Sequence, residues 1–194
     1  MRSILCLTII SILFFSCDKN GEPLKNGNKL EIQKDGIRYV DEQSLILPPG
    51  AYDGPQLVYT PPTTGLFGDH KENVTLSSSL KLEGQKNSKS FTIIVYLPVT
   101  GGVLLNKKYE IAPENGKEIF QKGIDGDQSK IWDSSFIQYT ENHNTYYFGT
   151  GHIVFTYFDN SGGLSNTKGE GTIVFSIPNE SGGRSTFNGS FRIR

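Results

Sequence analysis

The chain carries few residues whose types and spacing could do chemistry. Its three histidines, His70, His143 and His152, show no H-x-H or H-x-x-x-H spacing, so a metal site would need them to converge from three separate segments. Asp125, Asp127 and Ser129 offer oxygens at alternate positions, as the start of a twelve-residue calcium loop does. The pattern then breaks, with Lys130 where that loop needs glycine and Phe136 where it needs a bidentate glutamate. The segment reads as a turn with exposed carboxylates; calcium held by Asp125, Asp127 and a remote carboxylate stays an open alternative, and no metal ligand is assigned. Serine is abundant, yet no G-x-S-x-G elbow occurs, and the acids lie mostly in turn-like segments beside Gly or Asn. Ser161-Gly162-Gly163 and Ser181-Gly182-Gly183-Arg184 lack the lysine and the strand-loop-helix context of a phosphate cradle, and read as hairpin loops. Nothing specifies a catalytic set or a cofactor, and the expectation is a protein that is not an enzyme.

The aromatics offer more. Trp132, Tyr139, Tyr146 and Tyr147 fall close together and are bordered by Asn142, His143 and Asn144. Aromatic faces flanked by amides stack on sugar rings or line small apolar pockets, which makes these four the candidate ligand-binding residues. The competing reading is that they are core and cross-strand packing, the commoner fate of large aromatics.

Composition bounds the rest. The 194 residues contain 19 basic and 20 acidic side chains, a formal charge of −1 that becomes −2 if Arg2 is lost with a leader. No basic stripe suits nucleic acid, which is excluded as a partner. Only Cys6 and Cys17 occur; with Cys6 in the leader and Cys17 modified, the remaining domain would have no disulfide and must be held by packing.

Arg2 followed by the apolar run Ile4 to Phe15 has the anatomy of a signal peptide, too short for a membrane span of about 20 residues. It closes on Leu13-Phe14-Phe15-Ser16-Cys17, which resembles a lipobox, with Ser16 at the small position and Leu13 one place early. That resemblance implies cleavage before Cys17, acylation of its thiol and anchorage by lipid. The leader style is similar to that of Bacteroidetes lipoproteins, where acidic residues after the cysteine, here Asp18 and Glu22, accompany surface display. The outer membrane is the expected location, with the periplasmic and surface faces both open. The organisation expected is a leader over 1–16, a lipidated polar stalk over 17–29, and one domain over 30–194.

Hydrophobic alternation describes that domain. Asp35-Gly36 between Leu30-Ile32 and Ile37-Tyr39 predicts a tight hairpin. Val74, Leu76, Ser78, Leu80 and Leu82 share one parity, as do Phe91, Ile93, Val95 and Leu97, and these two strands are expected to pair antiparallel. A strand is expected over Val103 to Ala112. Three strands over 146–158, 171–177 and 187–193 predict a terminal meander, with Ile153, Phe155 and Tyr157 facing inward. No helical spacing follows the leader, and 22 glycines and 9 prolines punctuate the strands. The class is all-β: an antiparallel β-sandwich or a partly open β-barrel.

Tyr146-Tyr147, Gly151-His152-Ile153-Val154-Phe155-Thr156 and Phe187-Asn188-Gly189-Ser190-Phe191 resemble the closing strands of small Bacteroidetes outer-membrane lipoproteins of unknown function. The resemblance covers the leader and the last third, and implies an extracytoplasmic β-domain with no catalytic residues to carry over. With the aromatic cluster, it gives the expectation of a non-catalytic binding module for a glycan, peptide or envelope protein. The alternative is a lipocalin-like carrier of a small hydrophobic ligand.

Overall fold

The computed structural model describes residues 27–43, 54–63, 71–85, 90–111, 134–146, 149–163, 166–179 and 181–194. Among these there is no helix. The strands are β1 (Lys29–Lys34), β2 (Ile37–Glu42), β3 (Gln56–Thr60), β4 (Asn73–Leu82), β5 (Phe91–Pro98), β6 (Lys108–Ile111), β7 (Phe136–Glu141), β8 (Asn144–Tyr146), β9 (Thr150–Asp159), β10 (Lys168–Pro178) and β11 (Arg184–Ile193). All pairings are antiparallel, in the order β6-β9-β10-β11-β1-β2-β4-β5-β7-β8, with β3 also on β4. The sheet curls into a half-barrel whose two halves face one another across a single core.

Local chemistry accounts for much of this course. Asp35 and Gly36 hold φ of 50° and 85°, the left-handed pair that a two-residue primed turn requires and that fits the twist of the flanking strands. β4 and β5 run antiparallel with Leu76 opposite Val95 and Leu80 opposite Phe91. Their inward residues Val74, Leu76, Leu80, Phe91, Ile93, Val95 and Leu97 are all buried. The meander β9-β10-β11 supplies the facing wall through Ile153, Phe155, Ile173, Phe175, Phe187 and Phe191. The walls meet through aromatic edges: Phe187 stacks on Phe175 at 4.3 Å, and meets Phe91 at 5.9 Å and Tyr139 at 5.3 Å in edge-on geometry.

Two expectations need correction, and the start of the domain falls close to the expected Leu30. β1 begins at Lys29, and Asn28 is already bound: its carbonyl accepts the Gln43 N–H (2.9 Å) and its side chain accepts the Arg194 N–H (2.9 Å). The strand expected from Val103 is confined to β6, because Gly101, Gly102 and Asn106 adopt positive φ and carry residues 101–107 through turns. Finally, Tyr157 does not face inward. Glu170 pairs with Tyr157 but Gly171 with Phe155, so Thr156 is a bulge residue that reverses parity. Tyr157 is 43% exposed and Phe158 packs on the core in its place. Gly171 accommodates the bulge, since a Cβ there would overlap the Val154 carbonyl and come within 2.8 Å of the Phe191 ring.

The seam between the two halves is short. β2 meets β4 at only Tyr39–Leu82 and Val40–Lys81, while β3 takes the same edge of β4 from Ser77 onward. The gap at Ser78 and Ser79 is filled by the buried Asp41, whose Oδ2 accepts both the Ser78 hydroxyl (2.7 Å) and the Ser79 N–H (2.8 Å). Asp41→Ala should therefore leave donors unsatisfied at the seam and cost about 1–3 kcal/mol, read as a lower urea midpoint. Asp41→Asn, which keeps an acceptor, should recover part of the loss; an unchanged midpoint in the alanine variant would remove Asp41 from this role.

Candidate binding cleft at the Lys34 end

β1 continues its inward row Leu30, Ile32 into Lys34, so the strand pattern drives a lysine toward the mouth of the core. On the opposite wall, Tyr139 and Glu141 share one face of β7 for the same reason. The Lys34 ammonium donates to the Tyr139 hydroxyl (2.7 Å) and to both Glu141 carboxylate oxygens (2.8 and 2.7 Å), and Tyr139 donates to Glu141 Oε2 (2.7 Å). Three ring faces surround the same ammonium: Phe91 at 5.6 Å, Tyr139 at 5.4 Å and Phe187 at 6.0 Å. The cage compensates the partial desolvation of Lys34 through ring quadrupoles and a fully engaged carboxylate.

Above this floor lies an open cleft of about 380 Å³ whose walls include Asn142, Asn179, Ser185 and Phe187. Asn142 and His143 form the β7–β8 turn with φ of 50° and 68°, and this turn presents the Asn142 amide at the rim. Asn179 holds the opposite loop by accepting the Gly183 N–H and the Ser181 hydroxyl, both at 2.8 Å. Beside it, Asp35 accepts the Thr186 N–H at 2.8 Å. That backbone bond, with further bonds from Ser185 and Thr186, outweighs slight burial and holds the Asp35 carboxyl below the usual range.

Of the four aromatics picked from sequence, Tyr139 is 3% exposed. It gives the cleft its hydroxyl and gives its ring to the core. Tyr146 sits opposite Tyr139 in the β7–β8 ladder, while Trp132 and Tyr147 lie outside the described residues, as do Cys17, His70, Asp125 and Asp127. His143 is exposed in its turn, and His152 lies in β9 between Glu110 and Val174. Among the described residues no group of three or more His, Cys, Asp or Glu is placed to hold a metal ion. Sequence reasoning missed Lys34 and Glu141, which are 107 positions apart; the only signal was a lysine at the inward parity of β1.

A second, larger cleft of about 820 Å³ opens at the other end of the core, bounded by Asn28, Gln43, Gln56, Asn166, Lys168 and Arg194 among others. Its polar groups are largely engaged with one another. Asn28 donates to the Pro55 carbonyl (3.2 Å), Thr167 accepts the Tyr59 N–H (3.0 Å), and Arg194 pairs with Glu170 (2.9 Å).

Two outcomes follow for the Lys34 end. Lys34→Ala should lower stability by about 1–2 kcal/mol, less than a fully buried pair because Glu141 keeps 30% side-chain exposure. Lys34→Met, which refills the ring cage but leaves Glu141 without its counter-ion, should recover only the packing part of the loss in thermal melts; equal loss in both variants would make the ion pair the sole stabiliser. For Asp35, a depressed folded pKa means that its stabilising effect is full above its unfolded value, near about 3.9, and is lost as pH falls through the lower folded value. Asp35→Asn should therefore flatten the acid limb of a stability-against-pH curve and leave its slope near neutrality unchanged. No protein-family model, curated protein or solved structure matches this chain, so the chemistry of the cleft is read from its own geometry.

Proposed function

We propose that this chain is a lipid-anchored, extracytoplasmic β-domain that binds a hydroxyl-rich ligand, a glycan of the cell envelope, without transforming it. The observation that carries the reading is the placement of the open Lys34–Tyr139–Glu141 cleft at the end of the core opposite Asn28, where the chain enters from the segment containing Cys17. Acylation at Cys17 would tether the Asn28 end, and the cleft would then face away from the bilayer toward soluble or surface partners. Its rim of amide and hydroxyl groups over a charged floor suits the donors and acceptors of a sugar. The floor carboxylate is committed to Lys34, which leaves Glu141 poorly placed for acid–base work. A carrier function draws less support, because the aromatic rows that would enclose an apolar ligand contact one another across the core.

The intact mass of the mature protein should correspond to a chain starting at an acylated Cys17, and protease treatment of whole cells decides between surface and periplasm. For the site, the purified protein is screened against envelope polysaccharide fragments, then compared with Asn142→Gly, which retains the positive φ, and Ser185→Ala. Each lost hydrogen bond should weaken binding by up to about tenfold, with little change in melting temperature for Asn142→Gly and a small drop for Ser185→Ala, whose hydroxyl also bonds Asp35. Binding untouched by both substitutions would place the ligand elsewhere, and no binding to any fragment would overturn the glycan reading.

A further inference from the structure

The turn segment between β5 and β6 carries two leucines that the core does not use. Leu104 and Leu105 are adjacent and 55% and 49% exposed, and Lys107 and Lys108 follow after Asn106. The segment is held firmly: the Tyr109 hydroxyl accepts the Leu104 N–H (2.6 Å), the Phe155 carbonyl accepts the Asn106 N–H (2.8 Å), and Glu72 accepts the Gly101 N–H (3.0 Å). A braced loop showing two large apolar side chains to water is a feature that packing does not explain.

Strand register fixes where this tip lies. Lys29 pairs with Arg192, Gly169 with Ile193, and Lys168 with Asp159, so Asn28, Arg194, Lys168 and Asp159 share one end of the sheet. β6 runs antiparallel to β9 with Ile111 beside Gly151 and Lys108 beside Val154, and the residues before Lys108 therefore run toward Asp159. Tyr59 binds the tip to that end, donating its hydroxyl to Glu72 (2.7 Å) and its N–H to Thr167 (3.0 Å). The leucines are thus on the same end as Asn28, where the chain arrives from Cys17.

From this juxtaposition we infer that the Leu104–Leu105 tip is a membrane-docking point: both leucines enter the headgroup boundary of an anionic bilayer, with Lys107 and Lys108 at the phosphates. Two features support that occupant over a protein. The preceding chain enters at this same end, and on the anchor reading above, on which this inference rests, it leads to lipid within reach. The lysine pair complements anionic headgroups while its alkyl stems lie along apolar surface, and Lys107 is already seated over the Tyr109 ring at 5.2 Å. Of the nearby acids, Glu72 is engaged by Tyr59 and Gly101, Asp159 accepts the Ser161 N–H (2.9 Å), and Glu110, on the same face of β6 as Lys108, lies one strand step farther from the tip, beside His152. Docking would hold the domain in one orientation, with the Lys34 cleft outward.

The test uses the full chain, expressed and processed in a bacterial host and reconstituted in vesicles of phosphatidylglycerol and brominated phosphatidylcholine. Leu105→Trp and Ile37→Trp are each compared with the parent, whose Trp132 gives the background; Ile37 is 52% exposed at the opposite end. The added fluorescence at position 105 should be quenched by about half, as expected for a side chain some 5–10 Å into the boundary, and that at position 37 should not be. Adding Leu104→Glu and Lys107→Glu to the Leu105→Trp chain should abolish the quenching at position 105 while leaving the melting temperature unchanged. Equal quenching at 105 and 37, or none at 105, overturns the inference. The mass of Cys17 in the same preparation judges the anchor separately: an acylated protein whose position-105 fluorescence is unquenched loses the docking point alone. If Cys17 proves unmodified, the same quenching is measured after mixing protein and vesicles: selective quenching at 105 supports docking without the anchor, and its absence overturns docking as well.

Discussion

The fold depends on how one strand edge is shared. β4 must pair with β2 at one end and β3 at the other, because only that division lets the sheet turn back on itself and close a core from both sides. Neither partner covers Ser78 and Ser79, and an uncovered edge at that depth would strand backbone and hydroxyl donors away from water. The Asp41 carboxylate supplies the missing acceptor. Its position is set in turn by the Asp35–Gly36 turn, which fixes the register of β2 on β1 and so decides which residue of β2 arrives at the gap. A tight turn at one end of the hairpin thereby governs a buried polar contact at the other.

Once the seam is set, the two walls determine the character of each end. The inward rows are apolar through the middle, where Phe91, Phe187, Phe175 and Tyr139 interlock, and become polar only where the strands run out. At the Lys34 end the last inward residue of β1 meets the last of β7, and a salt bridge replaces an apolar contact. At the Asn28 end, amides from the start of β1 and the segment after β2 bind backbone groups instead. Both clefts are consequences of strand length: side chains from strands that stop at different levels leave open space at the rim, lined by whatever the turns provide.

Much of this was legible in the chain. Asp35-Gly36, the alternation over β4 and β5, and the terminal meander follow from period two and turn chemistry, both local properties. The Thr156 bulge was not legible, because a bulge shifts parity by one without altering composition, and Ile153-Val154-Phe155-Thr156-Tyr157-Phe158 is apolar on both parities. Either Tyr157 or Phe158 could have packed inward, and the glycine opposite, Gly171, was the only local hint. Val103-Leu104-Leu105 looked like strand for a related reason: its hydrophobicity suits a core, but Gly101, Gly102 and Asn106 adopt backbone angles no strand uses. The Lys34–Glu141 pair and the Asp41 contact depend on which strands become neighbours. A single sequence does not encode that order in any window, and reasoning from the aromatics alone reached Tyr139 while missing the charges that give its hydroxyl a purpose.

The buried aromatic at the cleft floor also bears on how ligand binding and stability relate here. Tyr139 packs against Phe91 and Phe187 with one end and donates to Glu141 with the other, so a change in the cleft's charge pattern is felt directly by the core rings. Removing Lys34 strips an ammonium from three ring faces at once. A ligand that competed for Glu141 would have to replace that ammonium to avoid leaving it unpaired beside aromatic surface. Ligands that accept and donate at the rim, through the Asn142 amide, incur no such penalty. The geometry therefore favours contact with neutral hydroxyl and amide groups over a free cation, and on the proposed reading it is this selectivity, more than the volume of the cleft, that would suit a glycan.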